Sequence, residues 1–281
     1  MENRQHTGSF KYRGAVNRLL TLTTSQRSAG CVTASSGNHG AAVARALQML
    51  SINGVIFVPQ HTSNAKIKAI REYDGDVRFF GDDGLDTEMH AREFASQEGM
   101  FYVSPYNDLE IIAGQGTCGI EIDSVLPDVD AVFVAVGGGG LVSGIGSVLK
   151  DRNPAVTIYG CQPAASAVMA HSVAAGKIVD MASDATLSDG TAGGIEHDSV
   201  TFPITRDVVD EFIIVSEAQI AAAMRLFVDA MDEPIEGAAG VAIAAMLQRI
   251  PVLADKKIVV IVCGGNISSA KLAAVTSGAL E

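Results

Sequence analysis

The chain has 281 residues, of which 48% are hydrophobic and 19% charged, a balance that supports a substantial core and excludes an intrinsically disordered protein. Its formal net charge is -12 and it holds no basic block, which argues against nucleic acid or an anionic membrane surface as a partner. Cys31, Cys118, Cys161 and Cys263 lie far apart without zinc-type spacing, the pattern of reduced thiols in a cytoplasmic protein.

In chain order, short apolar runs rich in Val and Ile alternate with longer amphipathic or Ala-rich stretches. The runs 30–34, 54–59, 76–80, 131–136, 156–161 and 257–263 read as strands. Helices are expected near 14–22, 38–50, 63–73, 85–98, 114–125, 141–151, 217–231 and 237–249. Nearly uncharged strands alternating with helices predict an α/β fold whose parallel sheets are covered on both faces. Residues 1–20 are too polar for a signal peptide. The uncharged stretch Ala131–Leu149 holds six glycines and reads as strand, glycine loop and helix rather than as a membrane span.

Three segments, 32–47, 134–149 and 260–275, run from an apolar strand through a Gly/Ser/Asn turn into a helix. Ligands of open α/β sheets bind outside the carboxyl ends of strands, where helix N-termini offer free N–H groups to anions. One such turn is an ordinary connection; three together point to a polar ligand bearing a phosphate. The tetraglycine Gly137–Gly140 lets backbone amides converge on an anion with no side chain in the way. There is no GxxxxGK[ST] motif, and the glycine spacing does not match a dinucleotide fingerprint. A small phosphorylated cofactor fits better. Near the start, Lys11 stands between Phe10 and Tyr12. Taken alone it reads as a surface lysine at a helix N-terminus, although partial burial there would suit Schiff-base chemistry.

The segments "TGSFKYRGA" (7–15), "SSGNHG" (35–40), "AGQGT" (113–117), "GGGGL" (137–141) and "CGGN" (263–266) occur in this order. Together they resemble the pyridoxal-phosphate enzymes of the tryptophan-synthase β fold (fold type II), nearest to the serine/threonine dehydratase and serine racemase group. The resemblance spans essentially the whole chain. It implies pyridoxal 5'-phosphate as cofactor, carried by Lys11 as a Schiff base, with the same lysine removing the substrate's Cα proton. It further implies that Gly137, Gly138, Gly139, Gly140 and Leu141 cradle the phosphate, that Asn38 bonds the pyridine 3′ oxygen, and that Phe10 packs on the ring. Cys263 falls where the family has Ser or Cys near the pyridine nitrogen; a buried strand cysteine is the other reading. Ser35, Ser36, Gly37, Asn38 and His39 would surround the substrate carboxylate. Ser36 matches the serine that works opposite the lysine in racemases, with a plain N-cap as the equal alternative; His39 reads as a packing residue rather than a base. Asp189 and Glu236 are assigned no specific role.

The implied reaction is β-elimination of a β-hydroxy amino acid, such as threonine or serine, to a 2-oxo acid and ammonia. A racemase of the serine-racemase type and a non-catalytic small-ligand-binding α/β protein are the alternatives, and a hydroxyectoine-utilisation-type dehydratase is a further relative to consider. The sequence departs from the family in two places. Gln162 and Val168 stand where some members hold a divalent cation with acids, so no metal is expected there. Lys11 is the eleventh residue, whereas the family carries more of the large domain ahead of it, so an N-terminal part is expected to be lacking. With the chain ending soon after Ala279, a regulatory domain is not expected. The resemblance divides the chain into a large cofactor-binding domain, 1–28 with 108–281, and a small mobile domain, 29–107. It also implies a homodimer or higher homo-oligomer.

Overall fold

The computed structural model describes residues 1–279. They form two compact units: Lys11–Gly114, and Met1–Phe10 together with the chain from Gln115 on.

In the unit Lys11–Gly114, α1 (Lys11–Leu20) and α2 (Thr24–Ala29) lead into β1 (Cys31–Ala34). There follow α3 (Asn38–Leu50), β2 (Gly54–Val58), α4 (Asn64–Arg71), β3 (Asp76–Phe79), α5 (Gly84–Gln97) and β4 (Phe101–Tyr102). The sheet is parallel throughout, in the order β3-β2-β1-β4, with Cys31 paired to Gly54 and Phe101. A hairpin would give antiparallel neighbours; here each crossover carries a helix, as parallel pairing requires. Burial explains the uncharged sequences of β1 and β2: Val32, Ile56 and Val58 are fully enclosed. On one side, Ala15, Leu19, Val43, Ala46 and Ile111 share a core with Ile56 and Ile70. Thr23 and Gln26 start α2 with a reciprocal capping box.

The other unit continues with α6 (Leu109–Val125), whose first turns belong to the Lys11–Gly114 unit, then β5 (Ala131–Ala135) and α7 (Gly140–Arg152). Next come β6 (Thr157–Pro163), α8 (Val168–Ala175), α9 (Thr201–Val208), β7 (Glu211–Val215), α10 (Glu217–Met231), α11 (Gly237–Arg249), β8 (Ile258–Val260) and α12 (Ser269–Thr276). Its sheet is also parallel, in the order β7-β6-β5-β8. Every residue of β5 is buried, and Phe133, Ile145, Leu149 and Ile158 fill the core around it. The Ala- and Gly-rich face of α11 is buried from Gly237 to Ala245.

The α/β class and the parallel sheets are as the sequence predicts; several elements differ. Helix α1 begins at Lys11 rather than near residue 14. β4, with two residues, and α2, with six, are too short for a periodic signal. β7 alternates exposed Glu211 and Ile214 with buried Ile213 and Val215, and charged neighbours mask it. α9 contains Pro203 and three β-branched residues in its first five positions; its proline is tolerated because it lies in the first turn. β8 ends at Val260, so Cys263 lies beyond the strand, in a segment without regular secondary structure. Among the described residues, no helix is long and apolar enough to cross a membrane.

Candidate active site

In the unit Lys11–Gly114, the decisive backbone is Val103–Pro105, the segment just past β4. Lys11 opens α1 and is half-buried; its Nζ donates to the Pro105 carbonyl at 2.7 Å. Thr33 Oγ1 donates to the Val103 carbonyl at 2.9 Å, and His39 Nε2 lies 3.1 Å from the same oxygen. A carbonyl oxygen has two lone pairs and accepts both. One short segment thus holds the lysine, the end of β1 and the first turn of α3. Lys11 does open a helix, as the sequence reads, but it is half-buried and its amine is held by a carbonyl within this unit.

His39 is 3% exposed and its pKa is pushed down to about 3, chiefly by burial and further by the Lys11 charge, against the opposing effect of the Val103 carbonyl. The ring is therefore neutral near pH 7, and the Val103 contact assigns its one proton to Nε2. Residues 35–38 are shaped differently. Ser35 Oγ accepts from the Gly37 amide at 3.2 Å, and Gly37 is exposed, with no atom near the place of a Cβ. The N-cap of α3 is Gly37 and no side chain bonds the cap, so the N-cap reading of Ser36 does not hold. Ser35, Ser36 and Asn38 are half-buried.

In the other unit, Gly137–Gly140 link β5 to α7. Gly139 is the N-cap, with φ +86°; a Cβ on it would lie 2.7 Å from Thr205 Oγ1 and 2.9 Å from the Met169 methyl. Only glycine suits that backbone. A Cβ on Gly137 would lie 3.0 Å from Thr191 Cα. Beyond the loop, the opening amides of α7 have no partner inside the helix, and the helix dipole adds partial positive charge there. Leu141, on the first turn, is buried and packs inward.

The chain's start is sewn to the segment after β8. The Phe10 amide donates to the Cys263 carbonyl at 3.0 Å, Ser9 pairs with Gly264 antiparallel, and the Gly265 amide donates to the Gly8 carbonyl at 2.9 Å. Glu236, a buried residue at the N-cap of α11, packs its carboxylate where a Cβ on Gly264 would lie, 2.6 Å from Cδ. The sequence alone does not single out Pro105 or the setting of Glu236: a backbone carbonyl leaves no residue-type signal.

Gln162, in place of an acid, is 1% exposed. Its Nε2 donates to the Val136 carbonyl at 3.0 Å and its Oε1 accepts from the Ala170 amide at 2.7 Å. Both ends of the amide are used within the protein.

A family model described as pyridoxal-phosphate dependent enzyme matches residues 1–264. The catabolic L-threonine dehydratase of Escherichia coli is 37% identical over 277 residues, covering 98% of this chain and 84% of that protein. Among solved structures, the processed form of threonine deaminase isoform 2 from Solanum lycopersicum superposes with a TM-score of 0.93 at 35% identity, over 98% of this chain and 81% of that one. Maize serine racemase does so with a TM-score of 0.91 at 31% identity, over 99% and 86%. The fold is that of fold type II pyridoxal-phosphate enzymes. Each unit holds residues that fit such a cofactor: in one, an amine held by a carbonyl; in the other, a glycine loop without side chains at the N-terminus of α7.

Proposed function

We propose, for a chain that belongs to the pyridoxal-phosphate-dependent enzyme family and is a β-eliminating ammonia-lyase within it, that L-threonine is its substrate, with L-serine as the smaller alternative. The identity to a catabolic L-threonine dehydratase over 98% of the chain carries this reading. Membership of an enzyme family sets aside the non-catalytic alternative. When bound, pyridoxal phosphate supplies an electron sink that makes the Cα proton removable. In the net reaction the Cα–H and Cβ–O bonds break, water leaves, and hydrolysis of the remaining carbon–nitrogen bond releases a 2-oxo acid and ammonia.

The residues divide the work. Lys11 would hold the cofactor covalently, and its amine would take the Cα proton; the Pro105 carbonyl supports this by keeping Nζ in one place. Gly137–Gly140 and the Leu141 amide receive the phosphate. Phe10 packs on the ring, and its bond to the Cys263 carbonyl supports placing Cys263 at the pyridine nitrogen. A thiol placed there would be a hydrogen-bond donor to that nitrogen rather than a strong acid toward it, in contrast to a carboxylate partner. Asn38 bonds the 3′ oxygen. Ser35, Ser36 and Gly37 would take the substrate carboxylate, and His39, held neutral on the Val103 carbonyl, anchors the first turn of α3 that follows them.

A second reading, racemisation, rests on Ser36, which is not consumed as a helix cap. Following 2-oxo acid release and loss of optical rotation side by side, with L-threonine and L-serine, tests both. Release of 2-oxobutanoate with little racemisation is expected; racemisation without release would replace the lyase reading. By family likeness we also assign the protein to the cytoplasm, as a homodimer or higher homo-oligomer with a small mobile domain over 29–107. Light scattering on the purified chain checks the assembly.

A further inference from the structure

The glycine loop takes its shape from two buried side chains outside it. We propose that Gln162 and Thr201 are positioning residues for cofactor binding: they turn alternate carbonyls of the loop backwards and so aim its amides at the phosphate. The proposal rests on the reading of Gly137–Gly140 as the phosphate cradle.

A trans peptide carries its C=O and the following N–H in opposite directions. The Val136 carbonyl accepts from Gln162 Nε2 at 3.0 Å, so the Gly137 N–H faces away from Gln162. The Gly138 carbonyl accepts from Thr201 Oγ1 at 2.5 Å, so the Gly139 N–H faces away from Thr201. The Gly139 carbonyl accepts from the Ser143 amide at 2.9 Å as part of the helix, which sends the Gly140 N–H out of the N-terminus of α7. Of these peptide units, only the last is fixed by the helix; the first two depend on side chains.

Glycine peptides rotate readily because no Cβ restricts them. A turned Gly138–Gly139 unit would point its carbonyl oxygen, the negative end of its dipole, at an anion. The two anchors are themselves fixed. Gln162 spends its Oε1 on the Ala170 amide at 2.7 Å. Thr201 is 0% exposed, and its single hydroxyl proton goes to Gly138, so Ser199 Oγ, 2.7 Å away, donates to it in turn. This also accounts for an amide rather than an acid at position 162: an ionised carboxylate has no donor for the Val136 carbonyl.

The test compares binding of pyridoxal phosphate and of pyridoxal, which has the same ring and aldehyde but no phosphate, by visible absorption at equilibrium. The chains are wild type, Gln162→Met, Thr201→Val and Thr201→Ser. Thermal melting of each cofactor-free chain comes first, and an anchor variant that fails to fold is replaced by Gln162→Asn or Thr201→Ala. Wild type is expected to prefer the phosphorylated ligand strongly. Gln162→Met and Thr201→Val should each weaken pyridoxal phosphate by about tenfold and leave pyridoxal unchanged, with Thr201→Ser restoring the preference. Variants that keep the wild-type preference, or lose both ligands equally, overturn the positioning role and leave the cradle standing. A wild type that binds both ligands alike overturns the cradle and the proposal together.

Discussion

Two loops follow the first strands of the two sheets, and they are built in opposite ways. After β1, residues 35–38 carry hydroxyls and an amide; Gly37 stands in open space with ordinary negative φ. After β5, residues 137–140 carry no side chains, and Gly139 is pressed against Thr205, Met169 and Thr201 at a left-handed φ. The first presents side-chain chemistry on a backbone with room around it. The second presents bare backbone held rigidly by what lies behind it. A loop that must recognise varied groups on a substrate needs the former, and a loop that binds one constant phosphate needs the latter.

The largest effect is expected at the lysine, which belongs with the side-chain loop through the Val103–Pro105 segment. Lys11→Ala should lower 2-oxo acid release from L-threonine by about 10³-fold or more, while the cofactor-free melting temperature barely moves; unchanged turnover would break the assignment. Next, Gly139→Ala should cost about 1–3 kcal/mol through its left-handed φ, measured by denaturant unfolding, and weaken cofactor binding. Gly37→Ala should stay within about 0.5 kcal/mol. Equal costs at the two glycines would erase the contrast between the loops.

A smaller effect concerns His39, whose pKa is lowered from 6.5 to about 3. Below 6.5 the unfolded chain takes up a proton that the native ring refuses, so this contribution to stability is whole above 6.5 and is lost as pH falls toward 3. His39→Gln, which keeps a donor for Val103, should flatten the acid fall of the melting temperature; an unchanged slope would show that the ring is not the titrating group. The smallest effect is chemical. Cys31 is fully buried and pushed up to about 11, chiefly by burial, and Cys161 is raised by burial as well. Both should resist alkylation in the native protein near neutral pH, read by mass spectrometry before and after unfolding.

The two loops also show what a sequence displays. The runs of β1, β2 and β5 are apolar because both faces are buried, so class and parallel pairing are legible directly. "GGGGL" and "SSGNHG" are equally visible because their chemistry lies in the residue types. What holds those loops is not visible. Val103 acts through its carbonyl, which every residue has. Thr201 lies 61 residues beyond Gly140 on a helix that its own propensities disfavour. Gln162 reads in sequence only as the lack of an acid, and the structure gives it a use. Ser36 looks like a helix cap until Gly37 is found in that position.

The central claim is that Lys11 carries the cofactor. Loading the chain with pyridoxal phosphate, reducing it with borohydride and mapping the modified peptide tests this directly. A single reduced pyridoxyl group on Lys11, absent from Lys11→Ala, is the predicted result. A modification spread over other lysines, or none at Lys11, would contradict it.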